Sequence, residues 1–198
     1  MNEVVKLGDV VTIRAGMVVS KTSNTDESKL TDAYVRMIGT SDFDEDVVLR
    51  DTLEPNVLYK DNIGKNFLQV NEILFNAKGH RFFAYLFKGE YKNAIASNVF
   101  MVLKLRSELV IPEYLEWYLN HPETLKVFNV KRTSQTIPSI TKLELSELEV
   151  IIPDLDTQHR IIELDQLKKK RIRVQRELVI LHEAYINAVT YKKIKVGN

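Results

Sequence analysis

Lysine and arginine are spread unevenly along these 198 residues, and the unevenness is of a kind that can hold a polyanion. From residue 60 to residue 106 stand Lys60, Lys65, Lys78, Arg81, Lys88, Lys92, Lys104 and Arg106 against only Asp61, Glu72 and Glu90. Lys126, Lys131, Arg132 and Lys142 follow with no acid between them. The acids gather instead at Asp42, Asp44, Glu45, Asp46 and Asp51. Cations segregated in this way can neutralise phosphates even on a body whose average charge is negative. An ordinary mixed surface carries the same charges, and composition leaves both readings open.

Bond-making chemistry finds little to work with. His80, His121, His159 and His182 are never three to five residues apart and stand in no carboxylate cluster, so no metal site is expected. The chain has no cysteine, which excludes disulfides and thiolate sites and fits a reducing cytoplasm. Among seven glycines there is neither a phosphate-loop pattern nor a dinucleotide fingerprint, and no serine sits in a nucleophile elbow. Pro153-Asp154 lacks the downstream Glu-x-Lys that a metal-dependent nuclease would place after it. No apolar run approaches membrane-spanning length, and the first residues do not read as a secretory signal. Binding, without a cofactor of its own, is the expectation.

The elements that would position the basic residues are legible in outline. Tyr34 to Ile38 reads as a strand, and Gly16 with residues 20–24 as a polar loop. Ile73-Leu74-Phe75 and Phe82 to Phe87 flank Asn76-Ala77-Lys78-Gly79-His80-Arg81, which predicts a hairpin with a long loop. Val99 to Leu105 predicts a third strand. Pro112 begins a helix that His121-Pro122 ends, a second short helix covers Glu123 to Val130, and Leu148 to Ile152 is a last strand stopped by Pro153.

Beyond residue 156 the pattern changes. From Thr157 to Tyr191 there is neither glycine nor proline, enough for a helix of roughly 50 Å, with Asp156 as the expected N-cap. Leu164, Leu167, Arg171, Val174, Leu178, Leu181, Tyr185 and Ala188 form a seam of alternating three- and four-residue steps, interrupted only by the arginine. Residues 157–198 carry 10 basic and 4 acidic side chains, and the first 156 carry 18 and 23. The expected architecture is therefore α+β, a globular head of twisted mixed sheet and short helices over residues 1–155. A long coiled-coil-type helix over 156–192 and a tail over 193–198 complete it.

The stretch from Glu72 to Ile161 resembles the half-repeat of specificity subunits from type I restriction-modification systems. Carrying this are residues 72–79 (EILFNAKG), 96–103 (ASNVFMVL), 112–119 (PEYLEWYL) and 134–140 (SQTIPSI), then Leu148 through Gln158 with Ile161. Lys6-Leu7-Gly8-Asp9-Val10 also matches. Two departures stand: the family's Gly-Asp before the Ile-Leu pair is Asn71-Glu72, and its Leu-Pro-Pro-Leu segment is Ile152-Pro153-Asp154-Leu155. Such subunits generally hold two recognition domains and two antiparallel helices, and one of each is present in these residues.

The resemblance implies a target recognition domain that reads double-stranded DNA. Its expected contacts are Lys78, His80 and Arg81 at the hairpin tip and Lys131, Arg132, Thr133, Ser134 and Gln135 before Pro138, with Lys21, Thr22, Lys88 and Lys92 beside them. Asn98, between apolar residues, reads as a satisfied strand-end amide in preference to a base reader. The seam would pair with a second copy or another specificity subunit. Methyltransferase and restriction subunits would be recruited, and S-adenosylmethionine, ATP and magnesium would belong to them. The rival is a coiled-coil adaptor with no DNA contact.

Overall fold

The computed structural model describes residues 3–19, 34–58, 63–130 and 138–196. It divides into two compact units, Met1–Gln158 and His159–Asn198.

In the first unit β1 (Glu3–Lys6) pairs antiparallel with β9 (Glu149–Ile152), bringing the start of the head to its end. A single turn, α1 (Leu7–Val10), buries Leu7 and Val10 and leads into β2 (Val11–Ala15). β2 is the outer strand of a four-stranded antiparallel sheet ordered β2-β8-β5-β6, with β5 (Ile73–Asn76), β6 (Ala84–Leu86) and β8 (Phe100–Leu105). A three-stranded sheet holds β4 (Val57–Leu58), β3 (Tyr34–Ile38) and β7 (Ala94–Ala96), with β3 and β7 parallel. The mixed α+β head is thus present, with its described strands divided among three small sheets. All four residues of β5 are buried, as befits a central strand covered on both faces. Leu74, Phe83, Phe87 and Phe100 form the middle of the larger core, where the Phe43 ring meets Phe83, Tyr85 and Phe100 edge-on.

The edge of β6 is closed by side chains of α2 (Pro112–Asn120). Asn120 accepts from the Ala84 amide at 2.9 Å and donates to the Ala84 carbonyl at 2.8 Å, while Glu116 accepts from the Leu86 amide at 3.0 Å. A strand edge without a neighbour would otherwise leave those groups free. α3 (Pro122–Val130) follows, and α4 (Lys142–Ser146) starts with a capping box between Thr141 and Glu144.

Asn71 lies at φ 70°, the left-handed region that asparagine tolerates better than most residues and glycine best. That conformation is compatible with the departure noted above, asparagine where the resemblance leads one to expect glycine. Glu72 is 4% exposed, and its carboxylate accepts from Arg14 at 2.8 Å and from the Gln69 amide at 3.0 Å, so the buried charge is paired.

α5 spans Leu155–Val196, 42 residues and roughly 63 Å of helix. It runs past residue 192, so the expected tail is helical as far as Val196. The N-cap is Asp154 and not Asp156: its carboxylate accepts from the Thr157 amide and hydroxyl, both at 2.9 Å. Pro153 sets the chain so that residue 154 is the last non-helical position. Leu164, Leu167, Val174, Leu178, Leu181 and Tyr185 are all exposed, Leu164 at 66% and Leu181 at 65%. Arg171 and Ala188 are exposed as well. A second row not foreseen from the seam, Ile172, Val179 and Ile186, repeats at heptad spacing beside it.

Candidate nucleic-acid interface

The strand register fixes which loops share an end of the four-stranded sheet. Asn76 stands opposite Phe100, Phe75 opposite Ala84 and Ala15 opposite Met101, so residues 16–19, 77–83 and 97–99 all emerge together. A fourth segment joins them. The Gly79 amide donates to the Pro138 carbonyl at 2.9 Å, the Ile140 amide to the Ala77 carbonyl at 2.8 Å, and Lys78 and Ser139 form an antiparallel bridge. Gly79 supports the tight path with φ 103°.

Lys78 and His80 are exposed at this end, with no side-chain hydrogen bond or ion pair among the described residues. Arg81 is there too, but its guanidinium is engaged. It donates to the Asp44 carbonyl at 2.9 Å and the Glu45 carbonyl at 2.5 Å, and lies over the Phe83 ring. Arg81 therefore ties the acidic loop to the hairpin tip. Within that loop the Asp44 carboxylate accepts from the Asp46 and Val48 amides, and the Asp42 carboxylate from the Gly39 amide.

Lys88 and Lys92 are exposed but lie at the other end of the β5–β6 hairpin, where Ile73 faces Leu86. An acid accompanies them: Glu90 accepts from the Lys88 amide and from the Tyr85 hydroxyl, the latter at 2.7 Å. Burial, and then that carboxylate, raise the pKa of Tyr85 and keep it a neutral donor. The structure does not bring Lys88 and Lys92 together with the tip residues. Lys21, Thr22, Lys131, Arg132, Thr133, Ser134 and Gln135 lie outside the described residues. Of the described segments that flank them, 16–19 and 138–140 belong to the Lys78 end.

Asn98 was expected to be a satisfied amide. It is exposed and makes no side-chain hydrogen bond among the described residues. Its place in the turn between β7 and β8, at the same end, has no signal in the local sequence, because the alternation of apolar residues there resembles an ordinary strand. Asn76 Oδ1 and Ser97 Oγ, buried and without hydrogen-bond partners among the described residues, also belong to this end. Among the described residues no group of three or more His, Asp or Glu could hold a metal ion, and no helix is long and apolar enough to cross a membrane.

Comparison with known proteins adds four findings. The family model described as type I restriction modification DNA specificity domain matches residues 1–179. The type I restriction enzyme HindI specificity subunit of Haemophilus influenzae is 35% identical over 83 residues, covering 40% of this chain and 18% of the relative. The HsdS subunit from Thermoanaerobacter tengcongensis superposes with a TM-score of 0.62 at 18% identity, over 89% of this chain and 44% of that one. A type I restriction-modification S subunit from M. genitalium does so with a TM-score of 0.57 at 14% identity, over 87% and 40%. The chain spans less than half the length of these relatives.

Proposed function

Because the chain belongs to the type I restriction modification DNA specificity family, we propose that the Lys78 end of its four-stranded sheet is the surface that meets double-stranded DNA. The observation that carries this is the bridge between Lys78 and Ser139, which places the hairpin tip against the segment that follows Lys131 to Gln135. Lys78, Lys131 and Arg132 neutralise phosphates, while His80, Thr133, Ser134 and Gln135 offer donors and acceptors to base edges. Lys21 and Thr22, which follow the described segment 16–19 in the sequence, contribute in this reading as well. Arg81 acts differently, as the tie that holds the tip in shape. Lys88 and Lys92, at the far end with Glu90, are left as secondary contacts at most.

The exposed seam of α5 supports pairing with the same helix of a second copy, antiparallel, so that two heads read two half-sites at a set spacing. Arg171, polar on an apolar seam, fixes register or orientation at some cost in stability. In this reading the chain is a non-catalytic cytoplasmic subunit. It delivers methyltransferase and restriction subunits to their site, and S-adenosylmethionine, ATP and magnesium are bound by those subunits.

Salt titration of duplex binding tests the proposal. Each phosphate neutralised steepens the fall of log affinity with log salt by about 0.9. The doubly substituted Lys131→Glu, Arg132→Glu chain is expected to bind more weakly and with a shallower slope. A coiled-coil adaptor, which makes no DNA contact, would show neither effect.

A further inference from the structure

We infer that Asn98 is a specificity-determining residue, whose side-chain amide reads an adenine edge in the major groove. The inference rests on the DNA-contacting surface proposed above and names one base reader within it.

Base readout needs a short polar side chain on a backbone that does not move, because a bidentate contact tolerates little displacement. The turn carrying Asn98 is held in this way from several sides. The Phe100 amide closes it onto the Ser97 carbonyl at 3.0 Å. The Ser97 amide donates to the Ile38 carbonyl at 2.9 Å, which fastens the turn to β3. On one flank the Gly16 amide reaches the Phe100 carbonyl at 2.9 Å and the Met17 amide the Ala96 carbonyl at 2.8 Å. On the other, the Ala77 amide reaches the Val99 carbonyl at 2.9 Å. The approach of residue 16 is so close that a Cβ there would stand 2.1 Å from the Ser97 carbonyl oxygen, so only glycine fits.

The backbone around Asn98 is thus committed on several sides, and its side chain to none of the described residues. It is exposed, at the end of the sheet that carries Lys78 and His80. Its flanks hold the buried side-chain atoms that lack partners among the described residues: Ser97 Oγ in the preceding residue and Asn76 Oδ1 on the strand opposite Phe100. Unsatisfied buried polar atoms are rare enough to mark places where a ligand or ordered water completes the structure.

The chemistry of the amide selects the base. A carboxamide presents one acceptor and one donor side by side, which matches the N6 donor and N7 acceptor of adenine. Being uncharged, it gains little from a phosphate compared with the lysines around it.

The test is a selection from randomised duplexes with the full chain as wild type, Asn98→Ala and Asn98→Asp, read position by position. Melting curves confirm that each variant folds. Wild type is expected to prefer adenine at one position of its site. Asn98→Ala should lose that preference, with discrimination falling roughly ten- to hundredfold there and the other positions unchanged. Asn98→Asp, of the same shape but without the donor–acceptor pair, should abandon adenine for cytosine, whose N4 can donate to a carboxylate. A wild-type preference that both variants keep overturns the assignment to Asn98 alone. A uniform loss at every position makes the residue a backbone contact and overturns it too. A wild-type chain with no preference at all removes the DNA-reading proposal on which the inference stands.

Discussion

Lys78 and Ser139 stand opposite each other in an antiparallel bridge, closed on either side by the Gly79 amide to the Pro138 carbonyl and the Ile140 amide to the Ala77 carbonyl. Two segments far apart in sequence therefore act as one surface, whereas Lys88 and Lys92, closer to Lys78 in sequence, are removed from it by the length of the hairpin. Lys78→Glu is expected to weaken duplex binding and to reduce the salt slope by about 1. The double substitution Lys88→Glu, Lys92→Glu, with twice the charge change, should leave the slope nearly intact. Equal losses in a fluorescence titration across salt concentrations would contradict this ordering.

Gln158 is fully buried and its side chain serves three backbone groups. Its oxygen accepts from the Ile111 amide at 2.9 Å, and its nitrogen donates to the Leu109 and Pro153 carbonyls, both at 2.8 Å. The first turn of α5 is thereby joined to the segment that starts α2. Gln158→Ala leaves those groups without partners in a dry setting, at a cost of about 2–5 kcal/mol in urea unfolding. Gln158→Glu should also destabilise, since a carboxylate cannot donate to the two carbonyls. Stability unchanged in both variants would contradict the role.

Asp154 gives the same junction a pH dependence. The Thr157 amide, and then the Thr157 hydroxyl, hold its carboxyl below the ordinary range. A lowered folded-state value means that the cap stabilises above the unfolded value and is lost as pH falls through the folded one. Helicity followed by circular dichroism from neutral into acid solution should therefore decline later in Asp154→Asn than in wild type, because the amide caps without titrating. Superimposable acid profiles would show that the cap does not matter to the helix.

The seam of α5 makes a separate prediction. Exposed leucines such as Leu178 (60%) and Leu181 (65%) are stable in water only at the cost of apolar hydration, which a second helix would relieve. Leu178→Glu with Leu181→Glu should convert a dimer into a monomer in sedimentation velocity, while the melting of the head stays as it was. A wild-type chain that sediments as a monomer at high concentration would remove the pairing.

Much of this architecture is legible in the sequence, and its limits have physical causes. Tyr34 to Ile38, the hairpin around residues 76–81, the helix beginning at Pro112 and the strand before Pro153 all stand where pattern and breakers put them. β1, β7 and α4 are missed because each has too few residues for a period to show. The N-cap is misplaced by two residues since Asp154 and Asp156 are equally good caps and only the backbone path after Pro153 chooses between them. Arg81 reads as a DNA contact from its charge, and its engagement with the carbonyls of Asp44 and Glu45 is a long-range relationship that no local pattern encodes. Asn98 reads as a satisfied amide for the converse reason, since its exposure depends on Ile38, Gly16 and Ala77 converging on its neighbours.

A head that reads DNA and a helix that pairs it with a second head are tested together by selection from a random duplex library with the purified chain. An interrupted palindrome, two inverted half-sites separated by a spacer of constant length, is the expected outcome. Enrichment of a single continuous asymmetric site, or of no sequence at all, would contradict it.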